Sequence, residues 1–322
     1  MRVLVTGGAG FIGSYIVEYH LAKHDEVHVI DDCSTGTEAN IAPFKNNPNF
    51  HFIKADILTF PDINRIVDWA ERIYHMAAVV GVLKVINDSE RLLAINIAGT
   101  ERLLRAVNTA KQLPRVLLAS SSEVYGDGHG HPLKEDSNLI IGEGRKSCSA
   151  YVVSKIALEY FGLSYFQHFN IPITILRIFN TIGPRQLGGY GMVVPRFIKQ
   201  AVKQESIVVY GTGEQTRSFC DVRDSVEIFD KIASNKNTIG EIINVGQDQE
   251  ISINNLAKLV KEISGTPSKI KHIPYDEIYG EGFEDCMFRR PDITKLQKLT
   301  GHDYKWDLSK SLADLIKRQQ SC

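Results

Sequence analysis

Short apolar runs alternate with helix-like segments through the first half of the chain, and this alternation limits the possible folds more than any other feature. Helical periodicity marks residues 12–23, 90–109 and 150–169. The apolar runs between them are residues 3–6, 27–31, 50–54, 73–76, 116–119 and 173–177. Strand–helix alternation predicts an α/β fold, a Rossmann-type doubly wound parallel sheet with helices on both faces.

The pattern changes after Arg177, where turns, short strands and shorter helices follow. We interpret this half as a smaller C-terminal domain. The apolar run at residues 242–245 is an exception, because it is typical of a late strand that returns to the first sheet. The first predicted domain therefore comprises residues 1–176 plus about 218–246, and the second comprises about 177–217 plus 247–322.

The charge balance gives no reason to expect a nucleic-acid or membrane partner. Lys and Arg number 37 against 38 Asp and Glu, and no apolar run reaches the length of a membrane span. The five cysteines are scattered and odd in number, and the N-terminus lacks a signal-peptide pattern, so we expect a cytoplasmic protein with free thiols. His129 and His131 lack further ligands at metal-site spacing, so we expect no metal site.

A glycine-rich turn stands between the first strand and the first helix. Gly7, Gly10 and Gly13 have the spacing that permits a tight turn and a close approach of the backbone to a pyrophosphate, and Phe11 and Ile12 open the helix. The positive end of the helix would then attract the phosphates. The alternative is a glycine turn without a ligand, but the strand–turn–helix context favours a dinucleotide site.

The cofactor type follows from the end of the second strand. Asp31, with Asp32 beside it, comes 18 residues after Gly13. A carboxylate at that distance accepts hydrogen bonds from the adenosine ribose and repels a 2′-phosphate. No Lys or Arg lies between Asp31 and Phe44 to offset the repulsion, so the sequence predicts NAD rather than NADP.

Tyr151 and Lys155 form a candidate acid–base pair. Four residues apart on a predicted helix, they project from one face. A neighbouring ammonium and a positive nicotinamide ring both favour the phenolate, which makes a tyrosine a usable base. The segment Ser121, Ser122 and Glu123 follows the strand at residues 116–119 and is expected at the same crevice, where a serine hydroxyl can share the substrate's proton.

With these residues the chain resembles the extended short-chain dehydrogenase/reductase family, specifically its nucleotide-sugar epimerases, dehydratases and decarboxylases. The resemblance extends over nearly the whole chain. Its motifs are residues 7–13, Asp56 with Ile57, Asn96 with Gly99 and Thr100, residues 121–126, 151–155, 177–185 (RIFNTIGPR), 208–219 (VVYGTGEQTRSF) and 290–292.

The resemblance implies roles for further residues. Lys155 would bind the nicotinamide ribose, and Tyr151 would be the catalytic base. Asp56 and Ile57 would lie at the adenine. The other implied cofactor contacts are Ala77, Ala78, Val79 and Asn96. The implied substrate contacts, at a nucleotide diphosphate sugar held by the second domain, are Asn180, Val194, Tyr210, Arg217, Arg289 and Arg290.

The resemblance also implies a homodimer built from the helices near residues 90–109 and 150–169. Their apolar residues suit a four-helix interface, although burial in the protein's own core is the competing explanation. These residues are Leu92, Leu93, Leu103, Leu104, Tyr160, Phe161, Tyr165 and Phe166.

The reaction branch is the open question, because the relatives share oxidation at C4 of the sugar. We expect a 4-epimerase of a UDP-sugar, with a UDP-glucuronate decarboxylase as the alternative. A dehydratase is disfavoured, since those relatives carry Asp-Glu where this chain has Ser122 and Glu123. An NAD-binding sensor without catalysis is a further alternative, against which the presence of Tyr151 and Lys155 counts.

Two features separate the leading branches. Ser122-Glu123, the segment at residues 279–285 and the following Arg289 are similar to the decarboxylases. Those enzymes, however, carry an arginine three residues before the catalytic tyrosine, where this chain has Cys148. Their aromatic substrate loop is also absent from residues 79–84, which favours the epimerase.

Overall fold

Seven parallel strands form the central sheet of the computed structural model, which describes residues 1–80, 88–126, 130–141, 148–188, 192–279 and 285–321. The strands of the described residues are β1 (Arg2–Thr6), β2 (Glu26–Asp31), β3 (Phe50–Lys54), β4 (Arg72–His75), β5 (Arg115–Ser121), β6 (Ile173–Ile178), β7 (Thr181–Ile182), β8 (Ile207–Tyr210), β9 (Thr216–Ser218), β10 (Cys220–Asp221), β11 (Ile242–Val245), β12 (Glu250–Ser252), β13 (Ile270–Ile273) and β14 (Phe288–Arg289). Across the sheet the order is β11-β6-β5-β4-β1-β2-β3. The predicted α/β fold is confirmed, and the run at residues 242–245 does return to the sheet, in parallel with β6.

Helices cover both faces of this sheet and build most of the C-terminal half. They are α1 (Phe11–Ala22), α2 (Ile63–Trp69), α3 (Ser89–Leu93), α4 (Gly99–Asn108), α5 (Cys148–Phe169), α6 (Val193–Val202), α7 (Val222–Ser234), α8 (Ile253–Ser264), α9 (Asp276–Tyr279), α10 (Thr294–Thr300) and α11 (Leu308–Gln320). None of the helices in the described part of the chain combines the length and apolar character needed to cross a membrane.

Side-chain alternation along β1 divides the core into two layers. Val3 and Val5 pack with α1 and α7 on one face of the sheet, whereas Leu4 packs with α2, α4 and α5 on the other. Successive residues of a strand point to opposite faces, so a strand buried on both sides must be apolar at every position. This explains why the sequence shows continuous apolar runs here.

The single helix expected over residues 90–109 is wrong in one respect. A π-helical turn, Ala94–Ala98, separates α3 from α4. The widened turn contains Asn96, whose main-chain oxygen accepts a hydrogen bond from the Thr100 hydroxyl at 2.7 Å and whose side chain bonds Val79 in the segment after β4. Periodicity alone did not reveal this local departure, which is of a kind often found at functional sites.

A third apolar cluster lies in the C-terminal half and includes Val194, Phe197, Leu256 and Leu312. It packs α6, α8 and α11 together, as expected for a second domain. Leu296 of α10, however, packs in the first core with α7 and β11. The domain boundaries given above therefore stay a prediction.

Leu296→Ala is expected to lower the free energy of unfolding by about 2–5 kcal/mol, because this fully buried side chain fills the first core from a late helix. Urea denaturation followed by circular dichroism measures the change. Leu113→Ala is the matched control, since Leu113 is 40% exposed and its truncation should change stability by less than about 0.5 kcal/mol. Equal effects of the two substitutions would contradict the packing of α10 on the sheet.

Candidate active site

The glycine turn has the geometry of a dinucleotide loop. Gly7 has a φ of +75°, and a Cβ on it would stand 2.6 Å from the Ala77 nitrogen. A Cβ on Gly13 would stand 2.1 Å from the Gly7 oxygen. Neither position tolerates a side chain, so glycine is required for the β1–α1 turn to pack this closely on itself and on the segment after β4.

The N-terminus of α1 fits a pyrophosphate. Gly10 is the N-cap residue just before the helix, and no side chain caps the free amides of the first turn. Phe11 and Ile12 point their side chains into the first core, so only their main chain is available to a phosphate. Uncapped amides at the positive end of a helix attract anions. These residues fit the phosphates of NAD.

Asp31 holds the same loop. Its carboxylate accepts hydrogen bonds from the Ala9 and Cys33 amides, both at 2.8 Å. Burial raises the pKa of Asp31, and these two amides oppose the rise. A carboxylate with two oxygens retains capacity to accept ribose hydroxyls as well.

The structure adds one arginine, distant in sequence, to the surroundings of the Asp31–Asp32 pair on which the prediction of NAD depends. Arg91, far from Asp32 in sequence, lies 3.2 Å from its carboxylate. The Asp32 carboxylate therefore compensates the positive charge of Arg91, and the negative charge of Asp31 is not offset by this arginine. Asp56 accepts the Leu58 amide at 2.8 Å, and the Ile57 side chain is buried against Gly99.

The segment after β4 is fixed by Asn96. Its side-chain oxygen accepts the Val79 amide at 2.9 Å, and its side-chain nitrogen donates to Ser154 at 3.0 Å. Ala77 and Ala78 are half-buried beside Gly7. Asn96 thus positions the Ala77–Val79 main chain against α5, and direct contact with the cofactor stays a prediction.

The catalytic candidates meet at the carboxyl end of β5. Ser121 accepts the Glu123 amide at 3.2 Å and caps the 3₁₀ turn Ser122–Tyr125. Tyr151 forms a side-chain hydrogen bond with Ser121. Ser122 is buried and Glu123 is partly exposed. The structure therefore brings Ser121, Glu123 and Tyr151 together, as expected from the sequence.

The electrostatics of Tyr151 differ from the sequence expectation. Burial raises the pKa of Tyr151 strongly, the Ser121 hydrogen bond lowers it, Glu123 raises it and Arg289 lowers it. The phenol is therefore protonated by default, because burial outweighs the cations near it. A positive nicotinamide ring is the additional charge that the phenolate needs.

Lys155 is buried behind the tyrosine ring. Its ammonium donates to the Ala119 oxygen at 2.7 Å and lies 5.7 Å from the Tyr151 ring centroid. Burial lowers the pKa of Lys155 to about 8, and the Glu159 carboxylate opposes that change. Lys155 is therefore charged below about pH 8 and has donors left for a ribose.

A buried polar network, which sequence reasoning missed, supports this pair. Glu159 accepts the Ser120 hydroxyl at 2.6 Å and a bidentate contact from Arg177 at 2.9 and 2.8 Å. Glu159 lies four residues after Lys155, so Tyr151, Lys155 and Glu159 share one helix face. The four-residue spacing from Lys155 was the one sequence signal that could have pointed to Glu159.

His75 is a second missed residue. Its ring bridges the hydroxyls of Thr6 at 2.7 Å and Thr100 at 3.0 Å. Burial, and secondly Lys155, lower the pKa of His75 to about 3, so the ring is neutral. It connects β1, β4 and α4 beneath the cofactor loop. Nothing in its sequence context distinguishes it from an ordinary strand residue.

Two arginines of the C-terminal half lie on adjacent strands, and one of them, Arg289, contacts the catalytic candidates. Arg289 and Arg217 are register partners on β14 and β9. Arg289 is buried and forms an ion pair with Glu123, while Arg217 pairs with Asp285 at 2.7 Å. Arg289 Nε is also buried and has no hydrogen-bond partner among the described residues.

The remaining predicted substrate residues differ in their burial and in their contacts. Asn180 donates to the Ser218 oxygen at 3.2 Å, and the Arg196 guanidinium lies 3.6 Å above the Tyr210 ring. The Val194 side chain is buried in the third apolar cluster, so only its main chain could reach a ligand. Arg290 is half-buried. Substrate contact by these residues stays a prediction.

Several residues used in the sequence argument lie outside the described residues. They are Gly81 to Lys84 of the loop after β4, His129, and residues 280–284 of the motif that precedes Arg289. The branch argument therefore depends on Glu123, Arg289 and their surroundings.

Glu159→Gln is expected to lower the pKa of Lys155 below about 8, because the carboxylate favours the charged ammonium against burial. A tenfold rise in the acid dissociation constant corresponds to about 1.4 kcal/mol. An NMR titration of ¹³C-labelled lysine measures the change. Glu227→Gln, which removes a surface ion pair with Lys305, is the control and should leave Lys155 unchanged. An unshifted Lys155 in folded Glu159→Gln would contradict the coupling.

The comparisons with known proteins agree on one family. The model of the NAD dependent epimerase/dehydratase family matches residues 3–246. A UDP-N-acetyl-alpha-D-glucosaminuronate decarboxylase of Bacillus cytotoxicus is 36% identical over 299 residues, which cover 92% of this chain and 91% of the relative. UDP-glucuronic acid decarboxylase 4 of Arabidopsis thaliana is 36% identical over 98% of this chain and 68% of its own length.

Solved structures show the same fold. The UDP-glucuronic acid 4-epimerase of Bacillus cereus, solved with UDP-glucuronic acid and NAD, superimposes with a TM-score of 0.88 at 31% identity and covers 99% of both chains. Together with the glycine turn and the Tyr151–Lys155 pair, this similarity identifies the cofactor as NAD. The chain therefore belongs to the NAD-dependent epimerase/dehydratase family, within the extended short-chain dehydrogenase/reductase group.

Proposed function

We propose that this enzyme decarboxylates a UDP-hexuronate after oxidising C4 of the sugar. The observation that carries the proposal is the buried Arg289, paired with Glu123 next to Tyr151. A cation at that point favours a carboxylate on the sugar ring. The catalytic pair alone does not separate the branches, because every branch begins with the same oxidation.

The unpartnered donor on Arg289 supports an acidic substrate. Arg289 has several N–H groups, of which Glu123 accepts from Nη1 and Nε has no partner in the described part of the chain. A buried donor without an acceptor costs about 1–3 kcal/mol. A uronate carboxylate is an anionic acceptor that matches a guanidinium, whereas a neutral hydroxymethyl group satisfies it less well.

In the proposed reaction, oxidation at C4 is followed by loss of CO₂ and by reduction at C4. When bound, NAD supplies the hydride acceptor for C4 and later the donor. Tyr151 takes the C4 hydroxyl proton, with Ser121 hydrogen-bonded to the same phenol and Lys155 behind the ring. The product is a β-keto acid, whose C5–C6 bond breaks to release CO₂ and leave its electron pair in an enolate. A proton from water then adds to C5, the hydride taken from C4 returns to C4, and Tyr151 gives its proton back to the C4 oxygen.

The named relatives support the same substrate class. Both decarboxylases reported above act, by name, on uronic acids linked to UDP. The Bacillus cereus structure contains UDP-glucuronic acid. UDP is therefore the proposed nucleotide, and a hexuronate or its N-acetylated form is the proposed sugar.

A 4-epimerase is the second candidate, and the sequence argument favours it. Cys148 begins α5 where the decarboxylases resembled here carry an arginine. The UDP-glucuronic acid 4-epimerase among the solved structures shows that this fold also processes the acid without losing the carboxylate. An epimerase would return hydride to the opposite face of an intact 4-keto uronate.

Incubation of the enzyme with UDP-glucuronate, UDP-N-acetylglucosaminuronate and UDP-glucose distinguishes the candidates by mass spectrometry. We expect the product of a uronate to have lost the mass of CO₂. An unchanged mass with a new sugar NMR spectrum would instead identify the epimerase. Tyr151→Phe is the reference without the base, and its turnover should fall by about 10²–10⁴-fold. Turnover of UDP-glucose alone would contradict the acidic substrate.

Arg289→Ala is expected to weaken binding of UDP-glucuronate and to leave binding of UDP unchanged. Loss of a hydrogen bond to a charged group costs about 1.5–3 kcal/mol, roughly 10- to 150-fold in affinity. Isothermal titration of both ligands measures the difference. Arg217→Ala, on the neighbouring strand, is the matched variant. Equal loss for UDP and UDP-glucuronate in Arg289→Ala would place Arg289 at the diphosphate and remove the main support for the proposal.

We also propose that the enzyme is a homodimer through the outer face of α5. Val153 and Tyr160 are exposed, Tyr160 by 68%, and lie two helical turns apart on one face. Leu92, Leu103 and Leu104, which also suited an interface, are fully buried in the second layer of the core. The proposed interface therefore contains fewer of the apolar residues than the sequence suggested, because these three leucines belong to the core.

Tyr160→Asp is expected to convert the dimer to a monomer, because a charge in the centre of an apolar interface cannot be solvated there. Analytical ultracentrifugation measures the change. Leu113→Asp, at an exposed leucine away from α5, is the control and should remain dimeric. A monomeric wild-type protein, or a dimeric Tyr160→Asp, would contradict this interface.

A further inference from the structure

Three side chains with metal-binding atoms converge on β2 and β3, outside the active site. Glu26 and His28 are two residues apart on β2, so they lie on the same face of the sheet. His51 of β3 is the register partner of His28. Parallel pairing therefore places the two imidazoles side by side, with the carboxylate on the adjacent position of the same face.

The distances within this cluster fit a metal ion. Glu26 Oε1 lies 3.6 Å from His28 Nε2 and 3.4 Å from His51 Nε2, and the three atoms lie within 4.8 Å of one another. Bonds of about 2.0–2.1 Å to a tetrahedral ion separate neighbouring ligand atoms by roughly 3.3–3.5 Å. Charge-assisted hydrogen bonds are shorter, about 2.7–2.9 Å. The spacing thus resembles an edge of a coordination polyhedron more than a close ion pair.

Packing restrains the ligands without covering them. The His28 ring lies 3.9 Å from the Trp69 ring and 4.4 Å from the His51 ring, between centroids. Trp69 therefore limits the rotation of His28. His51 and Glu26 are exposed by 43% and 42% of their side chains, which leaves an ion access from solvent and room for water ligands.

We propose that Glu26, His28 and His51 bind a divalent transition-metal ion of the zinc type, with water completing its coordination. Two imidazoles and one carboxylate are a ligand set that such ions prefer. We expected no metal site from the sequence, because His129 and His131 lack further ligands at metal-site spacing. The three ligands proposed here come from two strands and have no motif spacing.

The site is separate from the dinucleotide loop. Glu26 begins β2 and Asp31 ends it, and His28, the ligand on β2 nearer to Asp31, precedes it by three residues, roughly 10 Å of extended strand. β3 is the last strand of the sheet. A bound ion would connect this edge strand to its neighbour, a structural role that is independent of the sugar chemistry.

The experiment titrates Zn²⁺ into the full chain, free of any purification tag, by isothermal titration calorimetry. We expect one saturable site per chain in the wild type. His51→Ala should weaken it at least about tenfold, since loss of even an outer-shell partner of a metal ligand costs 10- to 100-fold. Glu26→Gln, which keeps the side-chain shape, should weaken it as well.

His272→Ala is the matched control, because His272 is an exposed histidine on β13 outside the cluster and its loss should leave Zn²⁺ affinity unchanged. Co²⁺ provides a second measurement, since a tetrahedral site with nitrogen ligands gives visible absorption that His51→Ala should abolish. Retained NAD binding shows that each variant is folded. Absence of a saturable site in the wild type, or equal affinity in wild type and His51→Ala, overturns the proposal.

Discussion

The buried ion pair between Glu159 and Arg177 is the interaction on which the active site depends. Both side chains are almost fully buried, and they join α5 to β6. Ser120 adds the end of β5, and the Arg177 guanidinium also lies 4.6 Å above the Tyr125 ring. Removal of one partner from such a pair typically costs about 3–5 kcal/mol, because the other charge is left buried alone. The catalytic helix therefore has little freedom to slide relative to the sheet.

This rigidity has an electrostatic consequence for the catalytic pair. Burial raises the pKa of Tyr151 and lowers that of Lys155, so burial favours the neutral form of both groups. Glu159 opposes the effect at Lys155. The same carboxylate that fixes α5 on the sheet thus helps to keep the ammonium charged. A substitution of Glu159 is therefore expected to affect both the stability of the fold and the pKa of Lys155.

The parts of the candidate site that the sequence could predict are those specified by local spacing. The glycine turn lies within a single strand–turn–helix unit, and Tyr151 and Lys155 are one helical turn apart. Ion pairs across the fold have no local pattern. Glu123 and Arg289 are 166 residues apart, and Arg217 and Asp285 are 68 residues apart. The π turn before α4 and the His28–His51 pairing depend likewise on tertiary packing, which periodicity does not encode.

The residues proposed for oxidation at C4 and those proposed for choice of the sugar also come from different parts of the chain. The first sheet and the helices packed on it carry the glycine turn and the Tyr151–Lys155 pair, which the proposed oxidation at C4 uses in either candidate reaction. Arg289 and Arg217 come from β14 and β9 of the C-terminal half, where register places them side by side. One of them pairs with Glu123 from the turn after β5. In the proposed function, the charge that selects a uronate therefore enters the site through a contact between the two halves of the chain.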